Sequence, residues 1–342
     1  MKTASATQRI DAIDQYRGLA ILLMVLADFT SDVNRIPGWL KHAEGTGLTV
    51  IDVIAPLFIF AIGLTYGPSI RRRIAHWGRW KAYENAIKRY MALIAMGFLL
   101  TLGGSLTGVY QSDYNWGLLQ AIGMAGLLTL PVVLLPAWQR ALAGLLLLGA
   151  YQVLADRFLA QMVLDSPHGG LPGSLAWGAM LIMATVLADL YHDENGGRRA
   201  LPWVGLSLAV AGVGLSFVIP VSKNLVSASY VLITLGLSAL VFAVFVWLGQ
   251  RRSFRIPMLT TWGKNPLLLY LLHGVALGLF VLPAVAWWYA DAPLWLTGLQ
   301  AVAMVSGPER HCRLPRPEGI VLLDVGYNCT VSGGSETRRK RA

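Results

Sequence analysis

Runs of about twenty residues with few or no charges recur along this chain, separated by short basic clusters. A helix needs roughly 20 apolar residues to cross a bilayer core of about 30 Å. Only 13% of the 342 residues are charged and 55% are hydrophobic, whereas a soluble chain has about 25% charged residues. A soluble protein this apolar has too little polar surface to cover itself. The pattern predicts an all-α fold, a polytopic membrane helix bundle of about ten transmembrane helices. The spans are expected near 16–33, 49–69, 87–105, 117–135, 137–155, 172–190, 201–220, 225–248, 264–285 and 292–306. The fifth is short, and Gly307-Pro308 weakens the end of the tenth.

Basic residues orient such a bundle, because cytoplasmic loops carry an excess of Lys and Arg. With the N-terminus inside, thirteen basic residues fall in inner loops: Arg71, Arg72, Arg73, Arg79, Lys81, Lys88, Arg89, Arg140, Arg198, Arg199, Arg251, Arg252 and Arg255. Four fall in outer loops: Arg35, Lys41, Arg157 and Lys223. The net charge of +10 is therefore read as an orientation signal and not as a nucleic-acid face. The first apolar run follows Arg17 directly and has no small-residue cleavage site after it, so it is expected to stay as the first span. Cys312 and Cys329 lie in the last stretch and suggest neither a disulfide framework nor a thiolate metal site. Residues 1–305 read as one transmembrane domain. The polar segment 306–342, which ends Arg338-Arg339-Lys340-Arg341, reads as a disordered cytosolic tail or as a stretch foreign to the chain. Asn328-Cys329-Thr330 fits a glycosylation acceptor pattern, which has no meaning on the cytosolic side.

Polar residues are densest between Asp11 and Asp52. Asp14 and Arg17, three apart, can pair on one helix face. Asp28 lies eleven residues after Arg17, about three turns or roughly 16 Å on. It is either a solvated acid at the end of a helix or a carboxylate facing a partner or a cavity. His42 follows in an outer loop. It is either a solvated histidine or a group that takes a proton or attacks a thioester, with Asp28 a candidate partner for one ring nitrogen. Thr49 reads as an N-cap and Asp52 as its capping-box acid, alongside a catalytic role for Asp52.

Lys223 and Asn224 sit alone in an outer connection. Ser227 and Tyr230 are spaced to share a helix face with Lys223. This cluster is either a charged cap between spans or a holder for a polar acceptor. Trp262-Gly263-Lys264-Asn265-Pro266 opens the ninth span on the inner side, with Asn265 as N-cap and Pro266 in the first turn. Lys264 and that helix N-terminus suit an anion such as a phosphate. His273, eight residues on and about 12 Å deeper, is either a packing residue or part of a site.

Several segments in this order resemble the heparan-alpha-glucosaminide N-acetyltransferase family of membrane acyltransferases and its bacterial relatives. They are Ile13-Asp14-Gln15-Tyr16-Arg17-Gly18, Lys41-His42-Ala43, Gly47-Leu48-Thr49-Val50-Ile51-Asp52 and Pro56-Leu57-Phe58-Ile59-Phe60-Ala61-Ile62-Gly63. Further on come Pro220-Val221-Ser222-Lys223-Asn224-Leu225 with Ser229-Tyr230, and Gly263-Lys264-Asn265-Pro266-Leu267 with Tyr270 and His273. The resemblance implies an acyl-CoA donor, usually acetyl-CoA, entering from the cytosol, and an amino-sugar or other glycan acceptor outside. It implies His42 as the active-site histidine, base or acyl carrier, and the residue reading sets Asp28 and Asp52 beside it as candidate catalytic acids. Asp14, Arg17, Lys223, Asn224 and Tyr230 are the expected substrate-binding residues. Lys264, Asn265 and His273 are expected at the CoA. No metal and no nucleic acid are expected; the bilayer is a partner, and a homodimer is a further expectation. A bacterial cytoplasmic membrane is the expected location.

The chain departs from the family pattern at Asp28, where an asparagine is expected, at Glu44-Gly45-Thr46, where the heparan enzymes have Ser-Trp-Asn, and at Val226, where they carry a tryptophan. The alternative reading is a secondary transporter or a flippase of a small solute or lipid-linked sugar. Such proteins often show internal repeats and broken helices, and the halves of this chain show no clear repeat.

Overall fold

A computed structural model describes residues 6–312, apart from 44, 107–115, 165, 194, 253–255, 282 and 284. Among the expectations above, Glu44, Arg255, Cys329, the acceptor pattern at Asn328 and the basic end of the tail lie outside the described residues. The described chain is all α, with no strand. α1 (Ala6–Thr30) is followed by α2 (Ile54–Trp77), α3 (Arg79–Leu106), α4 (Leu118–Thr129) and α5 (Ala137–Leu154). A π turn over Ala155–Leu159 carries α5 into the short α6 (Ala160–Leu164). Then come α7 (Gly170–His192), α8 (Gly197–Leu215), α9 (Ala228–Arg252), α10 (Pro257–Lys264), α11 (Pro266–Val281) and α12 (Leu294–Cys312).

The protein is a polytopic helical membrane bundle, but ten complete spans are not what its helices show. Five segments are long and apolar enough by length and composition: Ile51–Trp77, Arg79–Leu106, Ala137–Leu164, Gly170–His192 and Ala228–Gln250. A sixth is added if α10 and α11, which meet at 96°, form one broken span. α1 contains a helix where a span was expected, yet its 25 residues carry Arg9, Asp11, Asp14, Arg17 and Asp28. α4 has 12 residues, about 18 Å of helix, which is short of the bilayer core. α12 continues through Gly307-Pro308 to Cys312, past the expected end at 306.

Packing follows the distribution of small and bulky residues. α7 is buried along most of its length against α2, α4 and α5. α3 and α5 instead present Leu99, Leu102, Leu142, Leu145 and Leu146 outward, a surface that lipid covers. α1 lies against α10 so closely that a Cβ on Gly263 would sit 1.8 Å from the Asp14 carbonyl oxygen, and one on Gly18 1.9 Å from that of Leu259. Gly263 therefore belongs to a helix crossing, the use of small residues common in membranes.

Arg140, read from sequence as a loop charge, is buried instead. Its guanidinium donates to Thr185 Oγ1 at 2.8 Å and to the Leu135 carbonyl at 3.0 Å, and it pairs with Asp189. Arg71 reaches the same carboxylate at 3.3 Å. This cluster ties the ends of α2, α5 and α7 together, on the end of the bundle away from His42.

Candidate active site

The α1–α2 connection carries His42, and its geometry is set by Asp52. The first turn before α2 is a 3-10 turn over Ile51–Val53. Asp52 sits in it with its side chain fully buried. One carboxylate oxygen accepts the backbone N–H of Thr49 (3.0 Å), the hydroxyl of Thr49 (2.9 Å) and the N–H of Ala43 (3.2 Å). The bond to the Thr49 N–H is the one expected of a capping-box acid. The other oxygen lies 2.8 Å from His42 Nδ1. With the Asp52 backbone carbonyl also accepting the Tyr230 hydroxyl at 2.6 Å, this carboxylate has almost no freedom to move.

His42 itself is half-exposed. Lys223 Nζ lies 2.9 Å from Nδ1, 3.2 Å from Nε2 and 4.0 Å from Asp52 Oδ1. A neutral imidazole has one donor nitrogen and one acceptor. A proton on Nδ1 is directed at the Asp52 carboxylate, which leaves the lone pair on Nε2, while Lys223 Nζ lies along the ring within reach of both nitrogens. Burial pushes the Lys223 ammonium down to about 8, against the attraction of Asp52 and Asp28.

Lys223 is brought here by a turn and not by a helix face. The turn covers 223–226, and α9 begins only at Ala228, so the expected face shared by Lys223, Ser227 and Tyr230 does not form. Instead the Ser222 hydroxyl donates to the Gly45 carbonyl (2.9 Å), and the Gly47 N–H donates to that of Val221 (2.8 Å). These bonds sew the α1–α2 and α8–α9 connections together. Asn224 lies in the same turn. Tyr230 is wholly buried, its hydroxyl committed to Asp52.

Asp28 is not the partner of His42. It lies in the last turn of α1, where its carboxylate meets His273 Nε2 of α11 at 2.9 Å. The physical reason is the bend between α10 and α11. α10 runs antiparallel to α1, with Asp14 beside Gly263 and Gly18 beside Leu259, and the 96° turn into α11 brings His273 to the last turn of α1. His273 is buried, and its Nδ1 has no hydrogen-bond partner. Toward the other end, Asp14 and Arg17 pair at 3.8 Å, and Arg17 donates to Thr65 Oγ1 at 2.7 Å. Lys264 is exposed in the last turn of α10, and Asn265 forms the hinge into α11. The expected site residues thus fall into a group around His42 (His42, Asp52, Lys223, Asn224, Tyr230), a pair at Asp28–His273, and a group at the opposite end (Asp14, Arg17, Lys264, Asn265). Among the described residues, no cluster of three His, Cys, Asp or Glu is gathered as for a metal ion.

A residue that the sequence reading missed is His168, in the connection between α6 and α7. Its neighbours in sequence are Pro167 and two glycines, which read as an ordinary loop. The charges of Lys223 and His42 both act on its ring. The signal that marks it, a left-handed backbone at a non-glycine residue, exists only in three dimensions.

The family described as heparan-alpha-glucosaminide N-acetyltransferase, catalytic, matches residues 9–224. The chain belongs to this family. The match takes in Asp14, Arg17, Asp28, His42, Asp52, His168, Lys223 and Asn224, and stops short of Tyr230, Lys264, Asn265 and His273. The heparan-alpha-glucosaminide N-acetyltransferase of Mus musculus is 27% identical over 123 residues, which is 35% of this chain and 18% of the mouse protein. That of Homo sapiens is 36% identical over 55 residues, 16% of this chain and 8% of the human one. The matched stretch thus spans less than a fifth of the length of either heparan-alpha-glucosaminide N-acetyltransferase.

Proposed function

We propose that this chain is a transmembrane acyltransferase that moves an acetyl group from cytosolic acetyl-CoA to a hydroxyl or amine of an extracytoplasmic amino sugar or glycan. The observation that carries this reading is the His42–Asp52 pair. A buried, fully bonded carboxylate fixes the proton on Nδ1 and leaves Nε2 as the base, the arrangement that general-base acyl transfer requires. The family match supports acetyl-CoA as donor. The N-terminus inside and a bacterial cytoplasmic membrane complete the reading.

In this mechanism the proton of the acceptor N–H or O–H passes to His42 Nε2 as the acceptor forms its new bond to the acetyl carbon. The carbon–sulfur bond then breaks, and the imidazolium returns that proton to the departing sulfur, so CoA leaves as the free thiol. Asp52 stabilises the imidazolium in between. Lys223, beside the ring, supplies positive charge for the oxyanion that develops on the acetyl group. The charged nucleotide of CoA stays at the basic end with Lys264 and Asn265, and its flexible arm runs along α11. His273 Nδ1, buried and without a partner, suits an amide N–H of that arm. Holding donor and acceptor in one place makes the transfer effectively unimolecular.

The test uses the full chain in proteoliposomes with labelled acetyl-CoA on one side and glucosamine on the other. Labelled acetylated sugar is expected from the wild type and not from His42→Ala. Sugar or lipid movement without acetyl-CoA consumption would favour the transporter or flippase reading. Full activity of His42→Ala would refute the role given to the histidine.

A further inference from the structure

Among the described residues, two that are not glycine adopt left-handed backbone, His168 (φ 56) and Val226 (φ 45). Such conformations are costly for residues with a Cβ, the more so for a β-branched one, and persist where surrounding structure enforces them. Gly169, the neighbour of His168, lies against Val226. A Cβ on Gly169 would come within 2.9 Å of Val226 Cγ2 and 3.4 Å of the Asn224 carbonyl oxygen. The His168 loop is thus pressed onto the same turn that presents Lys223 to His42.

The loop is also braced from below. Trp177 Nε1 donates to the His168 carbonyl at 3.0 Å, and the two rings meet edge to face at 6.3 Å. The other side of Trp177 packs against Tyr230 at 6.1 Å, and Tyr230 donates to the Asp52 carbonyl at 2.6 Å. One continuous chain of contacts therefore runs from His168 through Trp177 and Tyr230 to the backbone of Asp52, the residue whose carboxylate holds His42. Despite this bracing, His168 Nδ1 is buried with no hydrogen-bond partner among the described residues. A buried polar atom left unsatisfied is unfavourable, and a ligand group that reaches it removes that cost.

We propose that His168 is part of the acceptor site, where its imidazole forms a hydrogen bond to a hydroxyl or amine of the acceptor sugar beside the group that His42 deprotonates. This rests on the acyltransferase reading above. Burial, with Lys223 and His42 adding to it, pushes His168 down to about 3. At neutral pH the ring is therefore uncharged, with one donor and one acceptor nitrogen, and either can meet a sugar hydroxyl. A neutral ring also avoids placing a second positive charge beside that of Lys223.

The experiment uses whichever of glucosamine, galactosamine and glucose the purified full chain acetylates. His168→Gln and His168→Ala are expected to raise KM for that sugar about tenfold, the loss of one hydrogen bond to a buried group, while KM for acetyl-CoA stays within twofold. Sugar KM within twofold of wild type in a folded variant overturns the proposal. Should both variants fail to fold, the wild-type chain decides the matter. Carbethoxylation of His168, followed by peptide mass spectrometry, is expected to slow in the presence of the sugar and not with acetyl-CoA alone. No protection by the sugar overturns the proposal. Acetylation of none of the three sugars overturns the function on which it rests, and the proposal with it. Activity retained in His42→Ala, together with sugar protection of His168, overturns only the role of His42.

Discussion

Asp52 Oδ1 lies 2.8 Å from His42 Nδ1, and the carboxylate is fully buried while half of the imidazole is exposed. In the proposed mechanism the exposed partner is the one that meets substrate. The buried partner is held by three further donors, so the ring is aimed by a fixed group.

Replacement of that carboxylate separates charge from shape. Asp52→Asn keeps the volume but removes the negative charge that fixes the Nδ1 proton and stabilises the imidazolium. A loss on the order of 10²–10⁴-fold in kcat is expected, with little change in KM for acetyl-CoA. Steady-state rates of acetyl transfer measure it, and a kcat within threefold of wild type would contradict the assigned role.

Lys223 gives the reaction a pH dependence. Its pKa is lowered by burial to about 8, so its proton is lost as pH rises through that value. If its charge stabilises the oxyanion, kcat/KM falls above about pH 8. Lys223→Arg keeps its charge across this range, and the alkaline fall is expected to disappear in that variant, whatever its absolute rate. A pH profile between 6 and 10 for both proteins decides it; an unchanged alkaline limb in the variant assigns the fall to another group.

The α1–α10 crossing leaves no room for a methyl group. Gly263→Ala and Gly18→Ala each place a Cβ within 2 Å of a backbone oxygen, so the helices must separate. Each is expected to destabilise the protein by about 1–3 kcal/mol, the usual cost of overpacking. Gly274→Ala, where a Cβ meets nothing within 4 Å, is the comparison. Thermal unfolding in detergent ranks them.

Two arginines share Asp189 with unequal effect. The Arg140 side chain is 2% exposed and that of Arg71 is 51% exposed. Arg140→Leu leaves Thr185 without its buried donor and the Asp189 carboxylate with Arg71 alone, and a loss of about 1–3 kcal/mol is expected. Arg71→Leu removes a solvent-screened contact, and about 1 kcal/mol or less is expected. Denaturant titration of both variants tests the order, and equal losses would contradict it.

The sequence by itself determined the class of the molecule and most of the chemistry in it. Apolar runs with grouped charges leave only a helical bundle in lipid, because backbone groups there must bond within a helix. The short spacing from His42 to Asp52, with Thr49 between, already carried the capping bond that holds the carboxylate. Tertiary structure alone decided the long-range partners. Asp28 went to His273 and not to His42, because the chain bends by 96° between α10 and α11 and lays α11 beside the end of α1, and nothing local to Asp28 encodes that bend. Lys223 reached His42 across 181 residues through a turn stitched to another loop. Arg140 left the expected surface for the interior because Asp189, 49 residues on, faces it from α7. His168 emerged only where strained backbone was pressed against the Lys223 turn, since strain arises from what surrounds a residue and not from its identity.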